Sequence, residues 1–136
     1  MPFSLDRLDH VVINCRDAEA TASWYVRVLG MTRETFGPAN RIALKFGNQK
    51  FNVRPTNAPN WITAEADTPG SLDLCFITSA PLAEVIEHIE ACGVTIITGP
   101  IAQQGAMGAM TSVYFRDPDG NLLEIGSYPR SHRNAL

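Results

Sequence analysis

Two side chains with acid–base chemistry interrupt segments that otherwise read as apolar strands. His10 lies within Leu8–Cys15 (LDHVVINC), and Glu124 lies within Asn121–Ser127 (NLLEIGS). A carboxylate buried without a partner is costly and takes up a proton, unless a metal ion or a cationic partner removes that cost. Glu124 therefore indicates a functional position, whereas His10 considered alone is more typical of a hydrogen-bonded core histidine.

Several other chemistries lack a pattern in this sequence. No Ser-His-Asp or Cys-His arrangement stands out. The glycine-rich segment Gly99–Ala109 (GPIAQQGAMGA) has no phosphate-binding lysine. We interpret it as a loop between strands that could close over a site, with Met107 as an apolar contact. The three cysteines lack metal-site spacing and predict reduced thiols in a cytoplasmic protein: Cys15, Cys75 and Cys92.

The composition predicts a folded domain that is neither disordered nor highly charged. The 136 residues are 45% hydrophobic and 18% charged. The net charge is -3 and no basic run is present, so we expect no nucleic-acid partner. No apolar stretch approaches the roughly 20 residues of a spanning helix, and the first ten residues lack the apolar core of a secretory signal. We therefore expect no membrane partner.

Two segments have the apolar periodicity of helices. The first should begin after Asp17, a good N-cap, and end before Gly30. The second should begin at Pro81 and end at Gly93. Apolar residues recur at helical spacing within them: Ala18, Ala22, Tyr25 and Leu29 in the first, and Leu82, Val85, Ile86 and Ile89 in the second.

Short apolar and β-branched runs predict strands between and after the helices. A tight hairpin turn is expected at Asp117–Gly120 (DPDG), and Pro55–Pro69 has the composition of a linker. The tail Pro129–Leu136 has little to bury and should fray. The predicted strands are Leu8–Cys15, Arg41–Phe46, Gln49–Arg54, Ser71–Thr78, Val94–Thr98, Thr111–Arg116 and Asn121–Ser127.

Both halves of the chain follow the order strand, helix, strand, strand, strand. LDHVVINC in the first half corresponds to LDLCFITS in the second, and FGNQKFNV corresponds to PDGNLLEI. This similarity predicts an internally duplicated βαβββ unit. Neither half could bury both faces of its own sheet, so the two sheets should pair within one chain or across a dimer.

Three segments carry a resemblance to a known family: Leu8–Val12, Trp24–Met31 and Tyr114–Glu124. They resemble the vicinal oxygen chelate superfamily of glyoxalase I, extradiol dioxygenases, and fosfomycin and bleomycin resistance proteins. The resemblance covers about residues 5–127. It implies an α+β fold in which two tandem βαβββ modules form a cupped, mixed eight-stranded sheet, and it implies a homodimer. The whole chain would be a single domain, with modules at about 5–54 and 70–128, a linker at 55–69 and a tail at 129–136.

The resemblance also implies one divalent metal ion, held by the first and last strand of each module. The corresponding residues here are His10, Asn52, Asp73 and Glu124. If the more apolar face of each sheet packs on the helices, the alternation of side chains along the strands puts all four on the other, cupped face. Imidazole and carboxylate suit Ni, Mn, Fe, Zn or Mg, whereas Asn52 is a weak ligand that could instead bind substrate. Arg54 shares that face and could clamp a carboxylate or phosphate.

The function that this resemblance implies is a glyoxalase-like, metal-dependent lyase or isomerase. Its small-molecule substrate would be chelated through vicinal oxygens, with Glu124 as the general base and Asp73 as the second candidate. An extradiol dioxygenase is an alternative, although such enzymes need two histidines and a carboxylate. A metal-free drug-binding protein of the bleomycin-resistance type is the other alternative.

Overall fold

A computed structural model describes residues 1–130, which form two compact units. The first unit is Met1–Pro69, and the second begins at Gly70. Each unit contains one helix and one four-stranded mixed sheet, which confirms the predicted fold class. The tail that was predicted to fray includes residues 131–136, which lie outside the described part of the chain. Within residues 1–130, no helix is both long enough and apolar enough to span a membrane.

The first unit has the strand order β1-β4-β3-β2, with β1 parallel to β4 and the other pairs antiparallel. The predicted caps of its helix are confirmed: Asp17 Oδ1 accepts a hydrogen bond from Ala20 N at 3.1 Å, and Gly30 ends the helix with φ 68. Its elements are β1 (His10–Cys15), α1 (Ala18–Leu29), β2 (Thr32–Phe36), β3 (Arg41–Phe46) and β4 (Gln49–Pro55).

The strand β2 was not among the predicted strands. Its sequence TRETF is polar, and most of its residues are exposed because β2 is an edge strand. An edge strand with little to bury has no apolar alternation by which sequence could reveal it.

Helix α1 packs on one face of the first sheet. Tyr25 is fully buried and meets Phe51 edge to face, with ring centroids 5.5 Å apart. Ile13, Leu44 and Val53 complete this buried layer. Strand alternation puts the remaining side chains on the opposite face, called here the open face of the first sheet. It carries His10, Val12, Asn14, Arg41, Ala43, Lys45, Lys50, Asn52 and Arg54.

The second unit repeats this arrangement with the strand order β5-β8-β7-β6. By alternation, Asp73, Cys75, Tyr114 and Glu124 lie on the face opposite the buried Val113, Phe115 and Leu123, called here the open face of the second sheet. Its elements are β5 (Asp73–Ile77), α2 (Leu82–Ala91), β6 (Thr98–Gly105), β7 (Gly108–Arg116) and β8 (Leu122–Ser127).

Two predictions for the second unit were wrong. The β-branched stretch 94–97 is not a strand; Val94 N instead donates to Ile89 O and closes the end of α2. The glycine-rich segment Gly99–Ala109 is not a loop, because β6 and β7 pair through it as a hairpin with a two-residue turn. Pairing with β7 outweighs the low strand propensity of glycine, alanine and glutamine in this segment.

The predicted turn between β7 and β8 is confirmed and is held by buried polar groups. Asp117 Oδ1 accepts hydrogen bonds from the N–H groups of Asp119 and Asn121 at 2.9 and 3.0 Å. Asn121 Nδ2 donates to Asp117 Oδ2 at 2.7 Å, and Asn121 Oδ1 accepts from Leu72 N at 2.9 Å. The turn therefore fixes the start of β5 as well as the β7–β8 hairpin.

Candidate functional site

Glu124 lies at the centre of a polar cluster on the open face of the second sheet. It is opposite Cys75 of β5 on one side and opposite Tyr114 of β7 on the other. The Glu124 carboxyl raises the pKa of both neighbouring side chains, and the Cys75 thiol also lies 3.7 Å from Phe76 O. Because the thiol and the phenol are the groups that carry protons, the carboxylate is held in position as an acceptor.

The surroundings of Glu124 keep both of its partners protonated. Burial raises the pKa of Cys75 to about 11, and the charge of Glu124 and its hydrogen bond add to that effect. Burial also raises the pKa of Tyr114, again with a contribution from the hydrogen bond to Glu124. At neutral pH the thiol of Cys75 and the phenol of Tyr114 therefore both keep their protons.

Tyr114 was missed as a site residue, although the sequence contained a signal for it. The strand before the DPDG turn and the strand after it must pair antiparallel, and in the register that begins with Arg116 opposite Leu122, Tyr114 lies opposite Glu124. Asp73 lies at the start of β5, two residues before Cys75, and its charge also contributes to the raised pKa of Cys75.

A cleft of about 290 Å³ opens beside this cluster. Cys75, Tyr114 and Glu124 line it together with Gln103 and Tyr128. The hydroxyl of Tyr128 accepts a hydrogen bond from the backbone N–H of Met107 at 3.0 Å, which fixes the tip of the β6–β7 hairpin at the rim. The side chain of Met107 is exposed and is not among the lining residues, so its role as a substrate contact stays a prediction.

His10 has the geometry of an oriented imidazole on the open face of the first sheet. Its Nδ1 hydrogen-bonds to Asp9 Oδ2 at 2.9 Å, and this bond holds the pKa of the Asp9 carboxyl below its usual range. Metal-binding histidines commonly have a carboxylate on one ring nitrogen, which leaves the other nitrogen for the ion. Lys50 lies opposite His10 in the strand register, and its charge works against a cation at this position.

Asn52 and Arg54 are buried on the same open face, each only 7% exposed. Arg54 Nη1 donates to Asn14 Oδ1 at 3.3 Å and forms an ion pair with Asp67 Oδ2 at 3.1 Å. Two polar atoms of this pair, Asn52 Oδ1 and Arg54 Nε, have no hydrogen-bond partner among residues 1–130.

The strand registers relate the four candidate ligands in pairs. Asn52 and Glu124 occupy the same position in the two units, opposite Val12 and Cys75 respectively. His10 and Asp73 are then equivalent, since each lies two residues before those partners. The sequence correspondence of LDHVVINC with LDLCFITS aligns Asp9 with Asp73 and is therefore wrong by one residue. An error of one residue matters because it exchanges the two faces of a strand.

The donor atoms of these four residues suit a divalent cation. One imidazole nitrogen and several carboxylate or amide oxygens are suitable ligands, and the unpartnered Asn52 Oδ1 is an available oxygen donor. Within the described part of the chain, however, no three His, Cys, Asp or Glu side chains are grouped so that they could hold an ion. The combination of His10, Asn52, Asp73 and Glu124 at one metal ion stays a prediction.

Comparison with known proteins identifies the family. Residues 7–125 match the family described as the Glyoxalase/Bleomycin resistance protein/Dioxygenase superfamily, and the chain belongs to it. The virulence protein STM3117 of Salmonella typhimurium is 45% identical over 91% of this chain and 85% of its own length. The glyoxalase domain-containing protein RDO1 of Mycosarcoma maydis is 40% identical over 93% of this chain and 70% of its own length.

Solved structures agree with this assignment. An integron cassette protein from V. cholerae is 46% identical, with a TM-score of 0.90 over 93% of this chain and 98% of its own. Two more distant structures share the fold alone. A lactoylglutathione lyase from Agrobacterium tumefaciens is 21% identical with a TM-score of 0.70, over 91% of this chain and 95% of its own. The antibiotic-binding protein TnmS3 from Streptomyces is 18% identical with a TM-score of 0.74, over 93% of this chain and 99% of its own.

Proposed function

We propose that the chain is a glyoxalase-like, divalent-metal-dependent lyase or isomerase that acts on a small molecule with two neighbouring oxygens. The observation that supports this most is Glu124, a half-buried carboxylate in the middle of a strand that lies between two protonated side chains, Cys75 and Tyr114. Such a carboxylate can take a proton from a carbon atom and return it to the adjacent carbon.

The other residues would bind the substrate and position its reacting atoms. His10, Asn52, Asp73 and Glu124 would hold the metal, and a divalent ion supplies polarisation of carbonyl and hydroxyl oxygens. Glu124 would act as the base, while the neutral hydroxyl of Tyr114 donates a hydrogen bond to it. Arg54 and Asn52 would contact polar groups of the substrate, and Met107 would add an apolar contact at the hairpin tip.

The test combines metal binding with turnover. Freshly purified protein is assayed for bound metal, then titrated with Ni²⁺ and Mn²⁺ while the melting temperature is followed. Adducts of methylglyoxal with thiols are screened for isomerisation to thioesters. We expect metal-dependent stabilisation and turnover in the wild type, and loss of both in His10→Ala and Glu124→Gln.

Two control variants match those substitutions. His88→Ala and Glu87→Gln change exposed residues of α2 and should retain the response to metal and the turnover. Absence of a metal response in the wild type, or equal loss in the control variants, would refute the proposed role of His10 and Glu124.

A metal-free binding protein is the second candidate, and one observation favours it. No three candidate donors are grouped around an ion in residues 1–130, whereas a cleft lies beside Glu124. For this candidate, a ligand would stabilise the protein equally in the presence and absence of a chelator. The dioxygenase alternative requires a second histidine; the screen includes catechols with Fe(II) and O₂ to test it.

We further infer that the protein is a cytoplasmic homodimer. Cys15, Cys75 and Cys92 form no disulfide in the described chain, as expected for a reducing compartment. Light scattering after size exclusion tests the dimer, and a single-chain mass would contradict it.

A further inference from the structure

Arg54 is engaged by a carboxylate that belongs to the chain itself. Its side chain is 9% exposed, whereas the side chain of Asp67, its partner in the ion pair, is 39% exposed. Asp67 lies in the linker after β4, outside any helix or strand. A buried guanidinium on the sheet is thus paired with a carboxylate from a segment that no strand pairing holds in place.

The ion pair with Asp67 leaves hydrogen-bonding groups of Arg54 and of its neighbour Asn52 without a partner within residues 1–130. A guanidinium has five N–H donors, but Asp67 and Asn14 both contact Nη1. Arg54 Nε and Asn52 Oδ1 are buried and have no partner within residues 1–130. Asn52 and Arg54 are two residues apart on one strand face, so their Cα atoms are separated by roughly 7 Å. An unpaired donor and an unpaired acceptor are therefore carried by neighbouring side chains of one strand face, and leaving them unpaired is unfavourable.

These two atoms define the chemistry of a matching ligand. The ligand must accept a hydrogen bond from Arg54 and donate one to Asn52 Oδ1 across a short distance. A carboxylate with a hydroxyl or amide N–H on the adjacent carbon does both. A phosphate monoester dianion binds guanidinium but has no proton for the amide oxygen of Asn52, so it matches only half of the position.

We propose that this position binds a 2-hydroxy or 2-acylamino carboxylate, and that Asp67 is an internal competitor which the ligand displaces from Arg54. This proposal rests on the function proposed above, because both require that the open face of the first sheet binds a small molecule. It adds the class of ligand and the residue that competes with the ligand. Asp67 contacts Nη1 and already neutralises the charge of Arg54, so it competes with a ligand carboxylate that approaches the unpaired Nε. The apparent affinity is therefore lowered in the molecules in which the ion pair is formed.

The test is a binding titration without metal or turnover. The full-length protein is titrated with lactate in the presence of a chelator, by calorimetry or by NMR chemical shifts. Three comparison probes each lack one feature: propionate lacks the hydroxyl, methyl lactate lacks the charge, and the phosphate monoester methyl phosphate, at pH 8, lacks a proton to donate. The wild type should bind lactate more tightly than any of the three.

Variants separate the competitor from the binding residues. Asp67→Asn should tighten lactate binding by about fivefold or more, since it removes the competing charge. The matched control Glu65→Gln removes an exposed carboxylate of the same linker and should leave binding unchanged. Asn52→Leu should reduce lactate binding to the level of propionate, and Arg54→Lys should weaken both acids.

Several outcomes overturn the proposal. Equal affinity of the wild type for lactate and propionate would exclude the role of Asn52, even if Asn52→Leu fails to fold. Equal effects of Asp67→Asn and Glu65→Gln would exclude the competitor, and methyl phosphate binding as tight as lactate binding would exclude the ligand class. Glu124→Gln should keep lactate binding while abolishing turnover, so failure of the proposed enzyme activity can be told apart from failure of this site.

Discussion

The thiol of Cys75 should react slowly with alkylating reagents because of its position beside Glu124. Its pKa is raised from the usual 9.0 to about 11, first by burial and then by the charge and hydrogen bond of Glu124. A rise of two units lowers the thiolate fraction about 100-fold at any pH well below 9. A thiolate with a higher pKa is more nucleophilic, which restores about tenfold of the rate. The net expectation is alkylation about tenfold slower than that of an ordinary thiol.

Replacing Glu124 tests this explanation directly. Glu124→Gln removes the charge but leaves the burial, which is the largest cause, so the pKa of Cys75 should fall only part of the way. Because the thiolate is the reactive form, alkylation at pH 8 should become several-fold faster in this variant. Asp73→Asn should have a smaller effect, since the charge of Asp73 contributes least to the shift.

The assay is iodoacetamide labelling between pH 7 and pH 11, with Cys75 followed by peptide mass spectrometry. A short peptide with one cysteine is the reference thiol, and Glu87→Gln on α2 is the control variant. In the wild type, the labelling rate of Cys75 should still be rising at pH 10. A rate that levels off near pH 9, or a Glu124→Gln rate equal to the control, would refute the coupling between the two side chains.

Three further predictions concern the turn, the hairpin and the imidazole. Asn121→Ala removes the hydrogen bonds of Asn121 with Asp117 Oδ2 and with Leu72 N. We expect a loss of about 3–5 kcal/mol in urea unfolding, against under about 0.5 kcal/mol for the exposed Asn48→Ala. In Gly105→Ala the new Cβ would clash with the hydroxyl of Tyr128. We expect a cost of about 1–3 kcal/mol in unfolding free energy, and a less than additive cost when the change is combined with Tyr128→Phe. Asp9→Asn should weaken Ni²⁺ binding about 10- to 100-fold, as measured by calorimetry, because it removes the carboxylate that orients His10.

The parts of the fold that could be predicted are those fixed by local chemistry. Helix α1 follows from the N-cap Asp17 and from Gly30, and the β7–β8 turn follows from the DPDG sequence. The alternation of side chains also assigned Glu124 to the correct type of face. In each case, the residues that determine the structure are neighbours in sequence or lie on the same strand.

The parts that could not be predicted depend on contacts between distant residues. Strand β6 is made of weak strand formers and exists because β7 pairs with it. The ion pair between Arg54 and Asp67 depends on the path of a linker, which has no periodicity from which to predict it. Register is another example, since one residue of error in aligning β1 with β5 changes which side chains are equivalent.

The internal repeat gives a physical reason to assign different roles to the two open faces. Asn52 and Glu124 occupy the same position, but Asn52 lies between Val12 and Ala43, which offer no side-chain hydrogen bond. Glu124 lies instead between a thiol and a phenol, so the protein itself satisfies this carboxylate. The unpaired amide oxygen of the first unit therefore requires a donor from a ligand or an ion, beside an arginine whose equivalent in the second unit is Gly126. We accordingly expect substitutions at Asn52 and Arg54 to act mainly on KM, and substitutions at Glu124 to act mainly on kcat.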